Sequence, residues 1–164
     1  MRNKWIAAFL LILAGVGAFL FLTRDSDEEL IEKNLAEIVN LVEKTGDESV
    51  FVLIGDSRKI MRYISEYPQI DLGSPLPVIS DRDELESIII QVRQTVQALS
   101  VRIGKKELTL SEDRTSAQME LEIVGSGSYF DDRGRERRNF SVEWVKEDGD
   151  WLVKSVQHKG TLFP

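Results

Sequence analysis

The sequence predicts an α+β domain that follows an N-terminal membrane anchor. An uncharged apolar run from Trp5 to Leu22 predicts the anchor. From residue 26 to Leu99 the apolar residues recur mainly with the 3.6-residue period of helices, and beyond Leu99 they alternate as in strands. An Asp-Gly pair between two alternating segments near the C-terminus is typical of a β-hairpin. We therefore expect about three helices, followed by an antiparallel sheet with one solvated face, in one domain over residues 25–164.

Residues 1–24 form the predicted anchor. The 18 residues from Trp5 to Leu22 carry no charge, and as a helix they would cover about 27 Å, close to the hydrocarbon thickness of a bilayer. Basic residues precede the run, so we expect the N-terminus inside and the domain outside the membrane, on the periplasmic side in a bacterium. A cleaved signal peptide is the alternative, because Val16-Gly17-Ala18 offers small residues for a peptidase. The apolar run continues past that point, which favours an uncleaved anchor.

Composition excludes several functional classes. The chain has no cysteine, so thiolate metal sites, disulfides, cysteine nucleophiles and acylated lipoprotein cysteines are excluded. The net charge is −7. The basic residues of the anchor segment offset part of that charge, so the outer domain is more acidic still. This balance argues against nucleic-acid binding and against docking on anionic lipid headgroups.

Capping signals mark the predicted helices. Ser26-x-x-Glu29 is a capping box that opens the first helix, which Gly46 ends. The pattern from Asp47 to Ile64 is mostly helical, with Gly55-Asp56-Ser57 as a candidate break between two shorter helices. The third helix is capped by Ser80 or Asp81 and runs to about residue 98. Residues 66–77, between the second and third predicted helices, contain three prolines and a glycine and are predicted as a loop. Within this loop we expect one short extended piece at 69–72.

The C-terminal hairpin is the strongest strand prediction. Its strands are Phe140–Lys146 and Trp151–His158, joined by a turn at 147–150. A register symmetric about that turn pairs Trp144 with Val153 on the buried face and Glu143 with Lys154 on the solvated face. The same register turns Ser155 and Gln157 inward and places His158 on the solvated face.

The hairpin also resembles a known family. Trp144-Val145-Lys146-Glu147-Asp148-Gly149-Asp150-Trp151-Leu152-Val153, the earlier strand Ser116–Leu121 and the three preceding helices are similar to the nuclear transport factor 2-like (SnoaL-like) superfamily. The resemblance covers about residues 27 to 160. It implies a cone in which a curved sheet wraps a long helix and leaves an apolar pocket. The family includes ketosteroid isomerases, scytalone dehydratases and polyketide cyclases, and also binding and scaffold domains. An anchor before such a domain resembles inner-membrane VirB-type secretion components.

The resemblance also bears on catalysis, since the family's enzymes hold a His–Asp dyad, paired carboxylates, or a Tyr with an Asp inside the cone. Here the inward sheet positions include no general acid or base at neutral pH, and Asp56 and Asp71 are explained as cap or turn residues. We predict no catalytic, cofactor or metal site. The candidate pocket residues are Tyr63, Met119, Leu121, Phe140, Trp144, Ser155 and Gln157.

One basic cluster follows the third predicted strand. It comprises Arg133, Arg135, Arg137 and Arg138. Acidic residues interleave with these arginines, so a solvated hairpin is favoured over an anion site.

Taken together, these patterns favour a membrane-anchored, extracytoplasmic binding or scaffold domain that mediates protein–protein assembly in the cell envelope. We expect a homodimer or an envelope protein as its partner. The alternative is a domain that binds a small apolar ligand, or a lyase- or isomerase-type SnoaL-like enzyme, using the cone pocket.

Overall fold

The computed structural model describes residues 26–74, 76–129 and 132–160. Its elements in chain order are α1 (Asp27–Val42), α2 (Val50–Met61), β1 (Ile64–Asp71), α3 (Arg82–Thr95), β2 (Ala98–Leu110), β3 (Ser116–Tyr129), β4 (Asp132–Glu147) and β5 (Asp150–Lys159). The predicted α+β class is confirmed. The predicted anchor lies outside the described residues, and no helix within those residues is long and apolar enough to cross a membrane.

The capping box at the start of α1 forms as predicted. Ser26 Oγ accepts a hydrogen bond from the Glu29 backbone N–H at 3.2 Å, and the Glu29 carboxylate accepts one from the Ser26 N–H at 2.7 Å. The helix ends at Val42, before Gly46, because the chain leaves it to pair with the sheet. The backbone groups of Lys44 and Leu99 exchange two hydrogen bonds, at 2.8 and 2.9 Å.

Helix α2 is continuous, so the candidate break at residues 55–57 is wrong. Ser49 caps its start, where Ser49 Oγ accepts from the Val52 N–H. Ser57 lies in the middle of the helix and is fully buried, and its hydroxyl donates to the Ile54 carbonyl at 2.9 Å. That local bond satisfies the hydroxyl without interrupting the helix. The helix ends at Met61, and Ile64 already belongs to β1.

Strand β1 occupies much of the segment predicted as a loop. It runs parallel to β5, with Ile70 opposite Val156, and its register is irregular between Ile64 and Gln69. Pro68 is buried within that irregularity. Proline lacks a donor for a regular ladder, so the first part of the strand has no local signature, whereas the predicted extended piece at 69–72 is confirmed as far as Asp71.

The five strands form one sheet in the order β1-β5-β4-β3-β2, antiparallel except for the β1–β5 pair. One face packs against the helices, and we call it the inner face. Its largest buried side chains include Trp144, Trp151, Met119 and Leu121. On the outer face the Gln118 amide, the Ser141 hydroxyl and the Glu120 carboxylate are joined by hydrogen bonds.

The terminal hairpin forms at the predicted turn. Asp148 and Gly149 both have positive φ, at 52° and 96°, which is the conformation of a two-residue type I′ loop. The predicted pairing holds from this turn back to Trp144, which lies opposite Val153. A bulge at Lys154 then shifts the strand by one residue, so that Glu143 lies opposite Ser155 and Phe140 opposite His158. Beyond Trp144 the symmetric register is therefore wrong.

Candidate functional site

An apolar cavity of about 450 Å³ lies between the inner face of the sheet and the three helices. Volumes of this size are typical of small-molecule sites. The helical part of its wall includes Leu35, Ile38, Ile60, Leu85, Ile88 and Ile89. The sheet part includes Leu121, Ile123, Phe140, Val142, Trp144 and Val153.

The spacing of the apolar residues in the sequence places them together on this wall. In α3, Leu85, Ile88, Ile89 and Val92 recur at the spacing that places them on one helix face. In β4, alternate residues point to the inner face, so Phe140, Val142 and Trp144 form one continuous stripe.

The structure brings three of the seven predicted pocket residues to the cavity wall, namely Leu121, Phe140 and Trp144. Met119 is fully buried in the core but does not line the cavity, and Tyr63 packs at the edge of the core. Ser155 and Gln157 lie on the outer face, because the bulge at Lys154 reverses the orientation predicted for them. The Ser155 hydroxyl donates to the Glu143 carboxylate there, at 3.3 Å.

The inner stripe of β4 continues beyond Phe140 into two charged residues that also line the cavity, Arg138 and Glu136. Arg138 Nε and Nη2 donate to the same Glu136 oxygen, at 2.8 and 2.7 Å. Arg138 Nη1 donates to the Leu72 carbonyl at 2.8 Å. The Arg138 side chain is 31% exposed and that of Glu136 is 67% exposed. This end of the cavity, which we call the mouth, is therefore polar and open to water.

His158 lies close to the mouth but does not line the cavity. The bulge turns it to the inner face beside Phe140, with ring centroids 5.7 Å apart and nearly perpendicular planes. Its predicted position on the Glu143 face is therefore wrong, whereas its predicted exposure to solvent is confirmed. Gly73 separates it from Arg138: a Cβ at Gly73 would lie 3.0 Å from the His158 ring and 3.4 Å from Arg138 Nη1.

Arg93 lines the cavity too, but its charge serves the packing of the helices. It is 2% exposed, and Nη2 lies 2.7 Å from Glu48 and 3.5 Å from Asp56. Nη1 donates to the Leu41 carbonyl at 2.7 Å. These contacts pair a buried charge that would otherwise be costly, and they tie α3 to α1 and α2.

The two aspartates considered from the sequence have different positions. Asp56 lies inside α2 and pairs with Lys59 and Arg93, so its interpretation as a cap or turn residue is wrong. Asp71 accepts a hydrogen bond from the Gly73 N–H at 2.9 Å, which is a turn role. Neither lines the cavity.

The cavity wall also holds a donor without an acceptor. Trp144 is fully buried, and its indole Nε1 has no hydrogen-bond partner within the described part of the chain. An unpaired buried donor costs about 1–3 kcal/mol.

Comparison with solved structures identifies the fold. The chain is similar to a nuclear transport factor 2-like protein with a cystatin-like fold from Novosphingobium aromaticivorans, with a TM-score of 0.64 and 13% identity over 92% of each chain. This chain has the nuclear transport factor 2-like fold. The resemblance stated from the terminal hairpin is confirmed for the domain.

Two further solved structures share the nuclear transport factor 2-like fold, both from the same organism. A putative scytalone dehydratase matches with a TM-score of 0.66 and 12% identity, over 81% of this chain and 83% of its own. A putative aromatic ring hydroxylase matches with a TM-score of 0.68 and 15% identity, over 84% of this chain and 90% of its own. No protein-family model and no curated protein matches the chain. At these identities the likeness establishes the fold alone.

The charged groups of the cavity bear on the chemistry that it could support. The charged residues that line it are Arg93, Glu136 and Arg138, among the residues that the structure describes. Arginine remains protonated and cannot act as a general base. Within the same described ranges, no group of three or more His, Asp or Glu side chains could hold a metal ion.

Proposed function

We propose that the domain is a binding module whose cavity holds a small apolar molecule without transforming it. The observation that carries this proposal is the cavity of about 450 Å³ with walls of leucine, isoleucine, valine and aromatic side chains. Such a pocket removes apolar ligand surface from water, and a few polar groups at its ends would orient the ligand.

The positions of the ionisable groups support binding over catalysis. A general acid or base must lie within hydrogen-bond reach of the reacting atoms. The one carboxylate of the described cavity wall, Glu136, is at the mouth, where Arg138 holds it and water reaches it. A lyase or isomerase that uses the cone interior would need such a group farther inside.

The outer face of the sheet supports the same choice. A scaffold that docks through the sheet would present a contiguous apolar patch there. Instead the described outer face carries polar side chains joined by hydrogen bonds: Ser141 bonds both Gln118 and Glu120, and Ser155 bonds Glu143.

Protein assembly is a second candidate function, and one observation favours it. Val50, Phe51 and Val52 begin α2 and are 54%, 88% and 46% exposed. Contiguous exposed apolar residues are typical of contact surfaces. Crosslinking of the full chain in its native membrane tests this candidate: a crosslinked dimer with links at Phe51 would support it, and an entirely monomeric chain would oppose it.

Membrane anchoring through residues 5–22, with the domain outside the cytoplasm, is part of the proposal. Its support is the uncharged run with basic residues before it. Carbonate extraction of membranes from cells that express the full chain tests it. Retention in the pellet, with the domain accessible to external protease in spheroplasts, is the expected result, and extraction into the supernatant would contradict it.

The cavity proposal is tested by native mass spectrometry of the full chain, purified gently from its original host. We expect an added mass that disappears on denaturation. Ile88→Phe fills part of the cavity and should lower the occupied fraction, whereas Ile90→Phe, a substitution outside the cavity wall on the same helix, should leave it unchanged. A wild-type chain that carries no added mass, and binds no apolar molecule supplied to it, would contradict the proposal.

A further inference from the structure

We infer that the occupant of the cavity is an elongated apolar monocarboxylate whose carboxylate pairs with Arg138 at the mouth. This inference rests on the proposed function, and it specifies the chemical class of the ligand. The nonpolar chain would lie against the apolar wall, and its charged end would remain near water.

The position of Arg138 carries the inference. It lies opposite Ile123 and continues the inner stripe of Phe140, Val142 and Trp144, so its guanidinium shares the face of the sheet that forms the cavity wall. At about 3.3 Å per residue, the six steps along the strand from Arg138 to Trp144 span about 20 Å. An extended chain with one polar end fits this arrangement better than a compact molecule with polar groups all round.

The present partner of Arg138 is readily exchanged. Nε and Nη2 both bond a single oxygen of Glu136, whose side chain is 67% exposed. Exposed ion pairs contribute little stability. An incoming carboxylate could offer one oxygen to each of these nitrogens, which is the bidentate geometry that a guanidinium prefers. The ligand carboxylate would be partly desolvated, so its ion pair with Arg138 would be stronger than the present pair of Arg138 with Glu136.

The rest of the mouth agrees with an anionic group. His158 lies on the far side of Gly73 from Arg138, and a ring nitrogen of histidine can donate a hydrogen bond. Gly73 has a φ of +83° and no side chain, so nothing larger than hydrogen separates these two groups at that point. The Leu72 carbonyl orients the guanidinium through Nη1 and leaves its Nε–Nη2 edge for the exchange.

The remaining charged group of the wall cannot serve the same role. Arg93 is buried, and its two terminal nitrogens already contact two carboxylates and two backbone carbonyls. Its Nε has no partner among the described residues, but this single donor cannot bind a carboxylate through two parallel hydrogen bonds. A ligand carboxylate there would have to displace pairs that stabilise a buried charge. Of the two arginines in the described cavity wall, Arg138 is therefore the one open to a ligand.

The test compares an acid with its matched alcohol. The full chain, held in an amphipol, is titrated calorimetrically with dodecanoate and separately with dodecanol. We expect dodecanoate to bind about tenfold more tightly, the gain of one charge-assisted contact at a partly exposed site. Arg138→Gln should abolish this preference. Arg137→Gln is the matched control, because Arg137 is the adjacent residue on the opposite face and pairs with Glu122 there.

A second variant tests the exchange without changing Arg138. Glu136→Gln removes the competing carboxylate and should raise the affinity for dodecanoate several-fold, with no change for dodecanol. Circular dichroism and thermal unfolding of every variant establish that it is folded. Equal wild-type affinities for the acid and the alcohol would overturn the carboxylate inference and leave the apolar cavity proposal standing. A preference that survives in Arg138→Gln would overturn the assignment to Arg138. Binding of neither compound would count against the proposed function itself.

Discussion

Asp27 joins the first helix to the last hairpin. Its carboxylate accepts hydrogen bonds from Lys146 Nζ at 2.6 Å and from Trp151 Nε1 at 2.9 Å. The bond from Lys146, followed by that from Trp151, holds the pKa of Asp27 below its ordinary value of 3.8. The charged form of this side chain therefore favours the folded state.

This linkage predicts a pH dependence of stability. Because the folded pKa is lowered, the stabilisation by Asp27 is present above the unfolded value of 3.8 and is lost as the pH falls through the folded pKa. Asp27→Asn should cost about 1 kcal/mol at pH 7. Urea unfolding of both proteins from pH 7 to pH 2 should show the two curves converging at the acid end. Asp150→Asn, at an exposed position of the same hairpin, is the control, and a constant difference for Asp27→Asn at all pH values would refute the linkage.

Substitutions of Trp144 separate the effect of side-chain volume on stability from the effect of hydrogen bonding. It is fully buried and its Nε1 has no partner among the described groups. Trp144→Ala should cost about 3–5 kcal/mol, the usual range for truncating a buried aromatic side chain. Trp144→Phe should cost much less, because it retains most of the ring volume and breaks no hydrogen bond. Chemical denaturation measures both, and an unchanged melting temperature for the alanine variant would mean that Trp144 is not part of the core.

At the scale of elements, two glycines have opposite roles. Gly55 lies inside α2, where an added Cβ would have no neighbouring atom within 4 Å, whereas Gly73, between β1 and α3, has a φ of +83° and meets the His158 ring. Gly55→Ala should stabilise the protein by about 0.5–1 kcal/mol through better helix propensity. Gly73→Ala should destabilise it by more than about 1 kcal/mol, because alanine disfavours that φ and the Cβ would crowd the ring. Thermal unfolding of the two variants checks the opposite signs, and shifts of the same sign would contradict this account.

The elements that local chemistry determines could be predicted from the sequence. Ser26 and Asp81 cap helices through their own side chains, and Asp148-Gly149 supplies the positive φ values of the hairpin turn. Only the C-terminal part of strand β1 was predicted, as the extended piece at 69–72, because Pro68 hides the alternation before it and the parallel partner is distant in the sequence. The bulge at Lys154 has no local signature either, and it alone misplaced Ser155, Gln157 and His158.

Part of the candidate site could also be predicted from the sequence. The alternation that placed Trp144, Val142 and Phe140 inward extends directly to Arg138 and Glu136. The interpretation of the arginine cluster as a solvated hairpin did not take into account that alternate residues of a strand point to opposite faces. This alternation places Arg138 on the inner face and Arg137 on the outer face. The contribution of each helix to the cavity depends on tertiary packing, and no periodicity specifies that packing.

At the scale of the whole molecule, the cavity follows from how the layers meet. Three helices cover the inner face of one sheet, and their apolar faces leave about 450 Å³ between them. The buried aromatic residues and the paired Arg93 hold the layers together around that space. The nuclear transport factor 2-like fold thus encloses a cavity, and in the proposed function the residues at its mouth would select the ligand.

The parallel pairing of β1 with β5 also constrains the order in which the chain can fold. Ile64 in the first strand lies opposite Val153 in the last, and the α1 residue Asp27 bonds Trp151 in that same final strand. A nascent chain therefore presents its early helices and β1 without their sheet partner until β5 has been synthesised. Contacts this distant in sequence slow folding, so the domain should acquire its structure only after β5 has left the ribosome.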